Sequence, residues 1–255
     1  PCSARAHWAV MKNRRSPWIV VPQPRPVATQ RLLCLPHAGG GIHHFVPWAL
    51  AAPQEIELGV VQLPGRGART VEPAHHELHG LIAALTEEVV PLLDRPLVLF
   101  GHSLGGLLAF ELARALRGRG QRLALLCVSG VAPPPYHDGV GQLHLGSDQD
   151  LVDELRQLGG TPPQVFEQPE LLELIVQAFR ADLAVGETYR YRDEPPLECP
   201  ILAMGGRDDS LAVEELQGWQ RHTHGALRVE MFSGGHFYLH DAHGAVLQAI
   251  VRASR

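Results

Sequence analysis

Short unbroken apolar runs alternate with segments of helical spacing along most of this chain. Arg31-Leu32-Leu33-Cys34-Leu35, Glu57 to Leu63, Pro96 to Phe100, Leu123 to Ser129, Pro200 to Met204 and Leu227 to Phe232 each read as a strand. The run Leu97-Val98-Leu99-Phe100 has no polar alternation, as expected of a strand buried on both faces of a parallel sheet. Between the strands, His79 to Leu93 places Leu81, Leu85, Val89 and Leu92 on one helical face. Gly105 to Arg117 reads as a second helix, stopped by Gly118 and Gly120. Val213 to Trp219 and about His240 to Val251 complete the set. This rhythm predicts an α/β fold, a mostly parallel central sheet with helices on both faces.

One stretch, about 133–195, is too long for a simple crossover between Ser129 and Pro200. It opens with Pro133-Pro134-Pro135 and holds two helix candidates. The first starts at Ser147, with Asp150 in capping-box position, carries Leu151, Leu155 and Leu158, and stops at Gly159-Gly160. The second starts at Pro169, a favourable first helical position, and is apolar through Leu171, Leu172, Leu174, Ile175 and Phe179. The expectation is a helical lid inserted into one α/β-hydrolase domain spanning 16–255. Residues 1–15 are set apart as an N-terminal extension, either foreign to the domain or disordered; nothing in them has the apolar core of a signal peptide.

Composition narrows the classes. The chain has 255 residues, 45% hydrophobic and 19% charged, enough for one substantial core. A net charge of −5 argues against a nucleic-acid partner, and no apolar run is long enough to span a membrane. Cys2, Cys34, Cys127 and Cys199 form no CxxC pair, which favours a reducing, cytoplasmic setting. A monomer is the expected state. His75-His76-Glu77-Leu78-His79 is not a metalloprotease pattern, and no phosphate-binding glycine motif follows a strand, so neither metal nor cofactor is expected.

The chemistry sits in Gly101-His102-Ser103-Leu104-Gly105, a G-x-S-x-G placed between a buried strand and a helix. That placement holds a serine on a tight turn, exposed at the strand's C-terminal end, with the Leu104 N–H where an oxyanion would form. A second N–H donor is expected from His37-Ala38-Gly39-Gly40-Gly41, from Ala38 or Gly39. His37 either orients that loop through its side chain or is a satisfied polar residue. Of fifteen histidines, His236 in Gly234-Gly235-His236-Phe237 follows the last strand and suits a base. The orienting acid should follow Ile201-Leu202-Ala203-Met204. Asp209 has the favoured spacing from Gly206, and Asp208 is the alternative. The order Ser–Asp–His is that of α/β-hydrolases.

The chain resembles the type II thioesterases, stand-alone editing enzymes of nonribosomal peptide and polyketide synthase systems. The resemblance is carried by Leu35-Pro36-His37-Ala38-Gly39-Gly40, Gln62-Leu63-Pro64-Gly65-Arg66, Gly101 to Gly106, Leu158-Gly159-Gly160-Thr161-Pro162-Pro163, Glu187-Thr188-Tyr189 and Gly234 to Phe237. It implies hydrolysis of acyl or aminoacyl thioesters on the phosphopantetheine arm of a carrier protein. It also implies Ser103 as nucleophile, His236 as base, Asp209 or Asp208 as orienter, and the Ala38 and Leu104 N–H groups as oxyanion donors. Ser210 stands where many relatives have proline. The rival readings are a small-molecule esterase or lipase with the same triad and a non-catalytic binding protein. Carrier proteins being acidic, Arg66, Arg69 and Arg207 are the expected docking cations.

Overall fold

The computed structural model describes residues 16–135 and 141–255. The expected extension at residues 1–15 lies outside them. The strands are β1 (Ile19–Val20), β2 (Gln30–Leu35), β3 (Ile56–Val61), β4 (Leu97–His102), β5 (Leu125–Ser129), β6 (Ile201–Gly206) and β7 (Leu227–Phe232). The helices are α1 (Val46–Ala51), α2 (Leu78–Val89), α3 (Leu104–Gly118), α4 (Asp148–Leu158), α5 (Pro169–Glu187), α6 (Val213–Gln217) and α7 (His243–Ala253).

One sheet is formed in the order β1-β3-β2-β4-β5-β6-β7. Only β1 runs antiparallel, pairing Ile19 with Val61 at the edge. The chain moves outward from β2 to β3 and then returns to place β4 on the other side of β2. The loops leaving β2 and β4 therefore flank the point where the winding reverses, where open α/β sheets bind ligands.

Strand side chains alternate between two cores, which is why the strands read as unbroken apolar runs. Leu33, Leu35, Leu97 and Leu99 pack with α2 and α3 through Leu81, Leu85, Leu108 and Leu112. Leu32, Cys34, Val98 and Phe100 pack on the other face with Phe45, Trp48, Val246 and Ile250. A third, smaller core lies within the insertion, where Leu151, Val152 and Leu155 of α4 meet Val176 and Phe179 of α5.

The insertion's helices start and stop at the residues the sequence marks. Ser147 caps α4 in a capping box with Asp150, and Gly159 ends it in the left-handed region at φ +72°. Pro169 opens α5. The final helix begins at His243 rather than at His240; Phe237 to Asp241 forms turns instead.

Candidate active site

Ser103 sits between β4 and α3 with φ +54° and ψ −122°. Among the described residues it is the one non-glycine with positive φ. Such a conformation costs roughly 1–3 kcal/mol and survives only where its surroundings over-determine it. Here the Ser103 N–H donates to Ser129 O at 2.8 Å, which fastens the turn to β5. Close approach also fixes the neighbouring residue type. A Cβ at Gly105 would collide with the carbonyl oxygen of Leu35, so α3 can pack onto the end of β2 only through glycine. Ser103 is half-buried, and its hydroxyl makes no hydrogen bond to another described residue.

The loop after β2 lies beside this turn, because Leu35 pairs with Gly101. Gly39 has φ +72° and donates its N–H to Asp182 Oδ2 at 2.8 Å. That bond occupies one of the two candidates for the loop's oxyanion donor. The N–H groups of Ala38 and Leu104 have no hydrogen-bond partner among the described residues. His37 is buried, and its carbonyl accepts the Gly40 N–H at 2.9 Å. Its ring is held by packing against Phe237 and His44, at 4.7 and 4.6 Å between centroids, rather than by a side-chain hydrogen bond.

His236, on the loop after β7, places its Nδ1 at 2.8 Å from Asp209 Oδ2. The Asp209 carboxylate is 7% exposed, and its Oδ1 accepts the Ser210 N–H at 2.7 Å. Burial pushes the Asp209 pKa up, but the His236 bond and charge with the Ser210 N–H outweigh it, holding the carboxyl below its ordinary range. A charged Asp209 fixes the proton on Nδ1 and leaves Nε2 as the acceptor. Asp208 is exposed and contributes its backbone N–H to Gly234 O at 3.0 Å, linking the acid loop to the histidine loop.

Other residues at the site were not singled out by the sequence reading. His102 is fully buried, with its ring 4.9 Å from that of His236. Its Nδ1 lies 2.9 Å from Ser129 Oγ, which lies 2.6 Å from Tyr238 Oη. Burial, reinforced by neighbouring imidazoles, drives the pKa values of His102 and His37 well below the ordinary histidine value, so both rings are neutral. His44 is pushed down to about 3 for the same reasons. The wall beside His236 is therefore uncharged despite its imidazoles.

The insertion touches the site at three places. Phe179 of α5 lies 3.4 Å from where a Gly39 Cβ would be. A Cβ added at Gly186 of the same helix would lie 3.4 Å from the Leu104 side chain. Gly160, beyond α4, comes so near Phe237 that a Cβ there would stand 2.5 Å from the ring tip. Two expected docking arginines are spent in this framework. Arg66 is paired with Asp182 through Nη2–Oδ1 at 2.6 Å. Arg69 is 4% exposed, bonded to Glu72 and the Gln62 carbonyl and stacked 4.1 Å over Trp18. Guanidinium groups so enclosed and already paired to carboxylates are poor surface cations; Arg207 alone of the three is exposed.

Comparison with known proteins gives a consistent picture. The family model described as Thioesterase domain matches residues 30–253. The gramicidin S biosynthesis protein GrsT of Aneurinibacillus migulanus is 35% identical over 240 residues, covering 93% of this chain and 94% of that protein. Thioesterase PikA5 of Streptomyces venezuelae is 38% identical over 228 residues, covering 88% of this chain and 80% of that protein. Among solved structures, the type II thioesterase BorB from the borrelidin biosynthetic cluster superposes with a TM-score of 0.88 at 40% identity. That match covers 95% of this chain and 100% of BorB.

Proposed function

The chain belongs to the thioesterase family, and from that premise we propose that it is a serine thioesterase that clears acyl or aminoacyl groups from the phosphopantetheine arm of carrier proteins. Its role is editing in nonribosomal peptide or polyketide assembly, and 16–255 is its catalytic domain with the segment at about 133–195 as lid. The observation that carries the reading is a strained, half-buried Ser103 at the end of β4 together with His236, on the loop after β7, bonded to a carboxylate that is 7% exposed. The relatives' names supply the setting: gramicidin S biosynthesis for GrsT and the borrelidin cluster for BorB.

In this reading His236 Nε2 takes the Ser103 proton as Oγ bonds to the thioester carbonyl carbon. The Ala38 and Leu104 N–H groups receive the oxyanion, at the N-terminus of α3, where the helix dipole also favours negative charge. Collapse breaks the C–S bond, and the pantetheine thiol leaves with the proton from His236. Water then attacks the acyl-serine with His236 again as base, releasing the acid and restoring Ser103. Asp209 holds the imidazole in the required tautomer throughout. The three insertion contacts with Gly39, Leu104 and Phe237 support a lid bounding the acyl site.

A fluorophosphonate probe tests the site assignment. It is expected to attach to Ser103, with labelling lost in Ser103→Ala and slowed in His236→Ala. Attachment at another residue, or equal labelling of Ser103→Ala, overturns it.

A further inference from the structure

The helix α5 carries one acid on its inward face. Asp182 is 3% exposed, flanked by the buried Phe179, Ala181 and Val185. Its carboxylate takes two hydrogen bonds from Arg66, Nη1–Oδ2 and Nη2–Oδ1, both at 2.6 Å. Its Oδ2 also accepts the Gly39 N–H at 2.8 Å. Arg66 Nη1 reaches on to Gly40 O at 3.2 Å. The pair thus grips the loop after β2 on both sides of one peptide group, by the N–H of Gly39 and the C=O of Gly40. Arg66 is itself held from below, since Gln62 Nε2 donates to its carbonyl at 3.0 Å.

A buried ion pair is a poor source of stability, because desolvation offsets most of its attraction. Its place here is better explained by what it orients. Residues 179, 182 and 186 lie on one face of α5, at i, i+3 and i+7. Phe179 and Asp182 meet Gly39, while Gly186 meets Leu104. A single helical face therefore lies against a residue beside one oxyanion donor and against the side chain of the residue that carries the other. Ala38, the residue just before Gly39, also packs against the core formed by α4 and α5.

We propose that Asp182, held by Arg66, is a positioning residue for the oxyanion site: it binds the Gly39 N–H and thereby presents the adjacent Ala38 N–H as the loop's free donor. The proposal rests on the reading of Ser103 as nucleophile and Ala38 as oxyanion donor. It makes the insertion helix a part of the catalytic geometry rather than only a cover. The pair acts on the transition state, where charge develops on oxygen, and not on ground-state binding.

The test compares wild type, Asp182→Asn and the double variant Arg66→Met/Asp182→Leu, using a p-nitrophenyl acyl ester and a trifluoromethyl ketone analogue that forms an oxyanion at the serine. The double variant leaves no orphan charge, so its folding is expected to survive, as checked by thermal unfolding. Its kcat is expected to fall by about 10²–10³, the loss typical of one oxyanion donor. Its KM is expected to stay near the wild-type value, and its affinity for the ketone should fall in step with kcat. Asp182→Asn keeps one oxygen for the Gly39 N–H and should recover part of the loss. A folded double variant with wild-type kcat and ketone affinity overturns the proposal, as does a parallel loss in KM alone. Should the double variant not fold, Asp182→Asn decides: a lower kcat with unchanged KM supports the proposal, and unchanged kcat and ketone affinity sink it. Hydrolysis persisting in Ser103→Ala would instead overturn the reading beneath it.

Discussion

Ser103 and Asp209 owe their places to backbone turns at the ends of strands β4 and β6, and these turns leave local marks. Gly101 and Gly105 beside Ser103, and Gly206 before Asp208 and Asp209, are required by close backbone approaches. The two aspartates are separated by what each touches. Asp209→Asn removes the acceptor that fixes the His236 tautomer, and kcat is expected to fall by about 10⁴, as in other serine triads. Asp208→Asn leaves its backbone bond to Gly234 intact and is expected to change kcat by less than about threefold, within what a surface substitution does. Steady-state kinetics on one acyl ester checks both; the reverse ranking would move the acid role to Asp208. The triad candidates were legible because each follows a predicted strand. Asp182 was not, because its partners Gly39 and Arg66 lie 143 and 116 positions away in sequence. The one available signal was an acid set among apolar residues on a helix. The His102–Ser129–Tyr238 chain is likewise a product of strand order, with Ser129 beside His102 across β4 and β5.

At the scale of elements, strong periodicity and strong caps were readable, and short elements were not. Helices α4 and α5 begin and end at Ser147, Gly159 and Pro169 because capping chemistry is local. Strand β1 has two residues and is defined only by its partner β3. Helix α1 has six residues and owes its place to Trp48 buried under the sheet. Neither has enough length to show a period. The turn after α4 carries a further prediction. Gly160 lies against Phe237, whose ring packs on His37, His102 and His236 at 4.7, 5.3 and 5.2 Å. Gly160→Ala must displace that ring tip, and with it the setting of His236. Turnover is expected to fall about 10- to 100-fold, the range for small misplacements at a reacting centre. Thermal stability should change little, since a side-chain end rather than backbone moves. Unchanged turnover would show that the contact does not govern His236.

The whole molecule gathers loops from the C-terminal ends of β2, β4, β6 and β7 at one edge of the sheet, and that edge is rich in neutral imidazoles. His37, His43, His44, His102 and His240 all have pKa values lowered first by burial. In the unfolded chain the same groups take up protons near the ordinary value of 6.5. Between 6.5 and the depressed folded values, which reach about 3 for His44, the unfolded state binds more protons. Stability is therefore full above about pH 6.5 and is lost as pH falls through this window. In a chain of this size each kcal/mol lost lowers Tm by about 2–4 °C. The Tm is expected to drop steadily from pH 7 to pH 5, before most carboxylates titrate. A Tm flat across that interval would contradict the neutral state of these rings. The fold class was legible because strand and helix patterns alternate. The switch point between β2 and β4, which sets Ser103 beside the Ala38 loop, came only with the sheet order.

The most direct measurement of the central claim follows release of an acyl group from an acyl-phosphopantetheinyl carrier protein by intact-protein mass spectrometry, with wild type and Ser103→Ala side by side. Wild type is expected to remove the acyl mass from the carrier, and Ser103→Ala to leave the acyl-carrier unchanged. Release by both proteins, or by neither while wild type hydrolyses free esters rapidly, would contradict the claim.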